Sequence, residues 1–111
     1  MSEITRRIRV YGIVQGVGFR PTVSRHATSN GICGTVCNKG PYVEIYAQGQ
    51  KKQMEGFLKA LEVQPPKRAA ILKINSIVIF FSFSLYVYLC IVFPFYQLIN
   101  TKKALTLHKY I

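Results

Sequence analysis

Residues 7–31 read RIRVYGIVQGVGFRPTVSRHATSNG, and the change of period inside this stretch sets the architecture. From Arg7 to Val14 the side chains alternate, with Ile8, Val10, Gly12 and Val14 on one face and Arg7, Arg9, Tyr11 and Ile13 on the other. That period of two is a strand. Gln15 to Arg20 forms a glycine-bearing turn. Pro21 then stands where the first turn of a helix tolerates proline, Phe19, Val23 and Ala27 fall along one helical face, and Gly31 supplies the stop.

Beyond this unit, Ile32, Gly34 and Val36 alternate into Asn38, Asn38-Lys39-Gly40-Pro41 is a turn, and Val43, Ile45 and Ala47 alternate again. The pair reads as a hairpin. From Lys51 to Val63, Met54, Phe57, Leu58 and Leu61 recur at i, i+3, i+4 and i+7, an amphipathic helix ended by Pro65-Pro66. A short strand, Ala69 to Ile74, follows. The order strand, helix, strand, strand, helix, strand predicts an α+β, ferredoxin-like sandwich, an antiparallel sheet with two helices on one face.

The chain has 111 residues, 15 Lys and Arg against 4 acids, and a net charge of +11. That is one small domain with a preference for anionic partners. All four acids are glutamates (Glu3, Glu44, Glu55, Glu62), which excludes mechanisms that need an aspartate nucleophile, an aspartate-oriented histidine or an Asp-rich calcium loop. Cys33, Cys37 and Cys90 form no C-x-x-C pair. Cys33 and Cys37 lie roughly 13 Å apart along one strand, beyond disulfide reach. The thiols fit a reducing, cytoplasmic compartment, and MSEITRRIRV lacks the apolar run of a secretory signal.

The turn Gln15-Gly16-Val17-Gly18-Phe19-Arg20 joins strand to helix. Its glycines let several amide N–H groups converge, the helix adds the positive end of its dipole, and the fork of Arg20 can donate twice to phosphate oxygens. A dinucleotide fingerprint is ruled out because Pro21 replaces the last glycine and no acid follows at the right distance; the Gly-Lys-Ser/Thr ending of a Walker loop is also missing. Spacing alone leaves a plain glycine turn with a solvated arginine equally open. Asn38 by itself reads as a turn residue, since Asn-x-Gly commonly opens a tight reversal.

The run from Arg9 to Arg20 closely resembles the signature of acylphosphatases, and Gly34-Thr35-Val36-Cys37-Asn38 resembles their second motif. The Phe19-Arg20-Pro21 continuation looks most like the acylphosphatase-like domain that opens hydrogenase-maturation carbamoyltransferases. The resemblance covers residues 5 to 74. It implies hydrolysis of an acyl phosphate to carboxylate and inorganic phosphate, with no metal or cofactor, and the closer likeness points to carbamoyl phosphate. It also implies roles: Arg20 holds the phosphate beside the loop residues Gln15, Gly16, Val17, Gly18 and Phe19, and Asn38 orients the attacking water. The partner is then a small-molecule acyl phosphate. An alternative is a noncatalytic basic module for phosphate-bearing ligands or RNA, or an inactive fragment of such a carbamoyltransferase.

Other residues carry less. His26 and His108 have no ligand or nucleophile partner at useful spacing and read as structural or solvated. Tyr11, Tyr42 and Tyr46 on the sheet's other face could stack on bases, but sheet tyrosines are ordinary strand formers and the aromatic run of RNA-recognition sheets is missing, so no nucleic acid is expected. After Asn75 the composition changes: residues 1–75 read as the domain and 76–111 as an apolar tail in which only Lys102, Lys103 and Lys109 are charged. Ser76 to Ile99, SIVIFFSFSLYVYLCIVFPFYQLI, matches the length of a bilayer-spanning helix and would tail-anchor the domain to the cytoplasmic face of a membrane. Two other readings stand beside it, an aberrant C-terminus from a shifted reading frame and a portion that replaces the family's last edge strand.

Overall fold

The structure is a computed structural model, and it describes residues 3–79 and 97–99. Its elements are β1 (Ile4–Ile13), α1 (Phe19–Asn30), β2 (Cys33–Asn38), β3 (Tyr42–Gly49), α2 (Lys51–Val63), β4 (Ala70–Ile79) and β5 (Gln97–Ile99). The five strands lie in the order β4-β1-β3-β2-β5, each antiparallel to its neighbours. The first six elements form the β-α-β-β-α-β sandwich that the alternations predict.

The strand register explains which residues meet. Ile8 opposes Ile45 and Val10 opposes Val43, while Val36 opposes Ile45. Because side chains alternate, these residues share one face and lie under the helices. Val23 and Ala27 of α1 and Met54, Phe57 and Leu61 of α2 close over them, all of them buried. Each large side chain removed from water in this layer contributes about 1.5–3 kcal/mol. The helices are tied together at one end, where Nε2 of His26 donates to the Gln64 carbonyl at 2.8 Å. A carbonyl only accepts, so Nε2 carries a proton in this bond. The start of α2 is closed by a capping box between Gln50 and Gln53, a pairing that adds two hydrogen bonds to the apolar stripe.

The opposite face carries Arg7, Arg9 and Tyr11 of β1 against Tyr46, Glu44 and Tyr42 of β3. Arg9 donates from Nε to Glu44 at 3.1 Å and stands over the Tyr42 ring, 5.1 Å from its centroid. Tyr11 and Tyr42 pack at 5.1 Å. Glu44 is almost fully buried, and Nζ of Lys39 lies 3.8 Å from its second oxygen. The Glu44 hydrogen bond holds the Arg9 guanidinium above its already high ordinary pKa.

Strand β1 begins three residues before the alternation read from Arg7, and two other boundaries differ from the sequence reading by more than a residue. Helix α1 begins at Phe19 rather than at Pro21, because Gly18 takes a left-handed conformation and acts as the N-cap; Pro21 is then the third helical residue, where no intrahelical N–H is required. Strand β4 does not stop at Ile74 but runs to Ile79. Its partner β1 is ten residues long and offers hydrogen-bonding groups along its whole length, so Asn75 faces Arg9 and Ile79 faces Thr5. The composition change at Asn75 thus falls inside a strand.

The uncharged run 76–99 has sheet at both ends. Ser76 to Ile79 belong to β4, and Gln97–Ile99 pair with Gly34, Thr35 and Val36 of β2. Ile99 is fully buried within the main core. Among the described residues no helix is long and apolar enough to cross a membrane; the membrane-anchor reading depends on residues 80–96, which lie outside the described residues. If Ile99 is a core residue, Ile99→Ala should lower stability by about 2–5 kcal/mol in urea unfolding of the full chain. A loss within error of zero would remove the fifth strand from the folded core.

Candidate active site

Gln15 to Gly18 hang between two buried anchors, Val14 at the end of β1 and Phe19 at the start of α1, each 2% exposed. The path between them needs Gly16 at φ 69° and Gly18 at φ 76°. A Cβ at either position would meet no atom within 4 Å. The requirement for glycine there is conformational rather than steric, since an L side chain in this region costs about 1–2 kcal/mol. Gly18 offers no side-chain cap to α1, and no acid lies in the helix's first turn. Neither the N-cap side chain nor the first turn of α1 therefore compensates the positive end of the helix dipole at the loop.

The loop and the end of β2 enclose a cavity of about 240 Å³ lined by Val14, Gln15, Gly16, Gly18, Phe19, Arg20, Pro21 and Asn38. Arg20 and Asn38, which lie on different elements, share this cavity. Arg20 is exposed. Asn38 is held by its own turn: Gly40 N–H donates to Asn38 Oδ1 at 2.8 Å. Only an oxygen can accept that bond, so the orientation of the side-chain amide is fixed and its NH₂ group remains as the donor. Val17 does not line the cavity. Its side chain packs against the core, so that only its backbone belongs to the loop.

Two features were not read from sequence. Val14 and Pro21 add apolar wall to the cavity. Gln15 reaches across to the β2–β3 turn, where Nε2 donates to the Gly40 carbonyl at 2.9 Å and approaches the Tyr42 carbonyl at 3.5 Å. The resemblance placed Gln15 among the phosphate-loop residues, but its partners 25 and 27 residues away have no local signal. The same turn is closed by Lys39 N–H donating to the Tyr42 carbonyl at 2.9 Å, around Gly40 at φ 94°. A positive φ suits the first residue of a two-residue hairpin turn.

Among the described residues no three His, Cys, Asp or Glu side chains gather where they could hold a metal ion. Cys37, next to Asn38, is buried and has a free thiol. Burial pushes its pKa up, and Glu44 adds to the rise, while the charges of Lys39 and Arg20 oppose it. It is a neutral neighbour of the site rather than an activated thiolate.

A family model described as Acylphosphatase matches residues 6–79. The chain belongs to the acylphosphatase family. It is 46% identical over 69 residues to the probable carbamoyltransferase HypF of Methanocaldococcus jannaschii, an alignment that covers 62% of this chain and 9% of that one. It is 48% identical over 54 residues to the acylphosphatase of Staphylococcus aureus strain Newman, covering 49% of this chain and 61% of the enzyme. The chain therefore spans less than two thirds of the length of either relative. Among solved structures, full-length HypF in a phosphate- and nucleotide-bound form superposes with a TM-score of 0.71 at 32% identity, over 73% of this chain and 11% of that one. The acylphosphatase from Bacillus subtilis superposes with a TM-score of 0.66 at 29% identity, over 71% of this chain and 88% of that one.

The Cys37 thiol yields a pH prediction. Its folded pKa lies above the unfolded one, so its stabilising contribution is intact below about pH 8.5 and is lost as pH climbs through the folded value. The urea midpoint of the wild type should fall relative to that of Cys37→Ala between about pH 8 and about pH 10. A difference that stays constant with pH contradicts the assignment.

Proposed function

We propose that the protein is an acylphosphatase that cleaves a small acyl phosphate, carbamoyl phosphate among them, with Arg20 and Asn38 as its catalytic residues. The observation that carries this reading is the meeting of Arg20, Asn38 and a glycine loop at a helix N-terminus on one small cavity. Family membership and the likeness to both acylphosphatases and HypF support it.

The chemistry asks little of the protein. Arg20 binds phosphate oxygens with its planar fork, and the loop and the helix N-terminus supply neutral donors and a positive potential. Asn38 donates from its amide to the oxygen of a water and aims it at phosphorus. As the water's oxygen bonds to phosphorus, the bond from phosphorus to the acyl oxygen breaks and its electrons leave with the carboxylate. The conjugate acid of that leaving group has a pKa near 4, so no general acid is required. The water's proton passes to a phosphate oxygen, whose own pKa is about 6. An acyl phosphate dianion plus water gives one carboxylate and one dihydrogen phosphate, and charge balances without a protein base. Catalysis is then positioning and charge neutralisation, as in phosphoryl transfer generally.

Phosphate release from acetyl and carbamoyl phosphates by the purified chain tests this. Arg20→Gln should lower kcat/KM by about a hundred- to a thousandfold, the usual cost of losing a donor to developing charge. Asn38→Ala should lower kcat while leaving inhibition by inorganic phosphate in place. Full activity in Arg20→Gln refutes the reading. Phosphate binding without turnover by the wild type would favour a noncatalytic module.

A further inference from the structure

We infer that Gln15 is a positioning residue: its side-chain amide holds the Gly40 turn that presents Asn38, and it is not itself a ligand for phosphate. The inference rests on the reading of Asn38 as the residue that orients water. A glutamine amide has two N–H donors. One is given to the Gly40 carbonyl at 2.9 Å, and the other has the Tyr42 carbonyl at 3.5 Å, the outer limit of a hydrogen bond. What is left is Oε1, an acceptor, which repels a phosphate dianion. The side chain can hold the turn or bind the phosphate, but not both.

The turn it holds is coupled directly to Asn38. Gly40 receives the Gln15 bond on its carbonyl and gives its N–H to Asn38 Oδ1 at 2.8 Å. One residue thus links the phosphate loop to the amide that faces the water. Asn38, Gly40 and Pro41 are all exposed, so the turn has little packing of its own to fix it. Without Gln15, the separation between the loop and Asn38 would depend on the β2–β3 hairpin alone, and small misplacements in a positioning mechanism are costly.

The test uses the full chain as wild type, Gln15→Ala, Gln15→Glu, Asn38→Ala and the Gln15→Ala/Asn38→Ala double variant. Expected for Gln15→Ala is a fall in kcat of about ten- to a hundredfold, with the inhibition constant for inorganic phosphate within about twofold of wild type. With Asn38 already removed, Gln15→Ala should cost nothing more. Gln15→Glu presents a carboxylate to two carbonyls and should match Gln15→Ala at neutral pH. Relative to wild type it should recover as pH falls toward the ordinary glutamate range near 4.3, where the protonated side chain can donate again. A Gln15→Ala that keeps full kcat, that weakens phosphate inhibition as much as turnover, or whose effect multiplies with that of Asn38→Ala overturns the inference. If the wild type proves inactive on acyl phosphates, the functional reading fails, and the Gln15 contact is still decided by NMR. Loss of protection of the Gly40 amide, with a moved Asn38 side-chain amide signal in Gln15→Ala, supports it; unchanged signals overturn it.

Discussion

Ile8 and Val10 are fully buried in a strand that is hydrogen-bonded on both sides, to β3 and to β4. This double pairing of β1 governs the rest of the molecule. A strand held along both edges cannot slide without turning its apolar residues to the wrong face, so the point at which the chain leaves it is fixed. The loop starts there, at Val14, and is caught again at Phe19. Its two positive-φ glycines span a gap whose ends are set by the core. A site placed on such fixed ends starts with much of its geometry organised. The hairpin β2–β3 shares the constraint, because β3 lies between β1 and β2 and brings Asn38 up beside the loop.

Features with a local cause were legible in the sequence. The stripe Met54, Phe57, Leu61 defines α2 from Lys51 to Val63 as its spacing predicts, and the alternations of β1, β2 and β3 put the expected residues on the core face. The motif likeness that pointed to acylphosphatases is matched by the family model and by the fold. Less legible was whatever a partner strand or a distant carbonyl decides. β4 runs past Ile74 because β1 is there to pair with it, and no pattern within residues 75–79 announces that. Nor does the sequence around Gln97 separate a strand from an apolar helix, since β-branched and aromatic residues suit both. Gln15 sat in the right motif, but its partners Gly40 and Tyr42 become neighbours only when the sheet forms.

Charge distribution completes the argument for where an anion can bind. The chain has 15 basic residues and 4 acids, so the acids are too few to neutralise most of the cations and net charge alone does not single out a site. Glu44 engages two of the cations. Buried on the face away from the helices, it takes Arg9 by hydrogen bond and Lys39 by a longer ion pair, drawing two positive charges into the sheet. Those cations are occupied and partly desolvated. Arg20 is exposed in the first turn of α1, a turn that contains no acid. Under the proposed function, a phosphate dianion bound in the cavity that Arg20 lines would displace no ion pair found among the described residues.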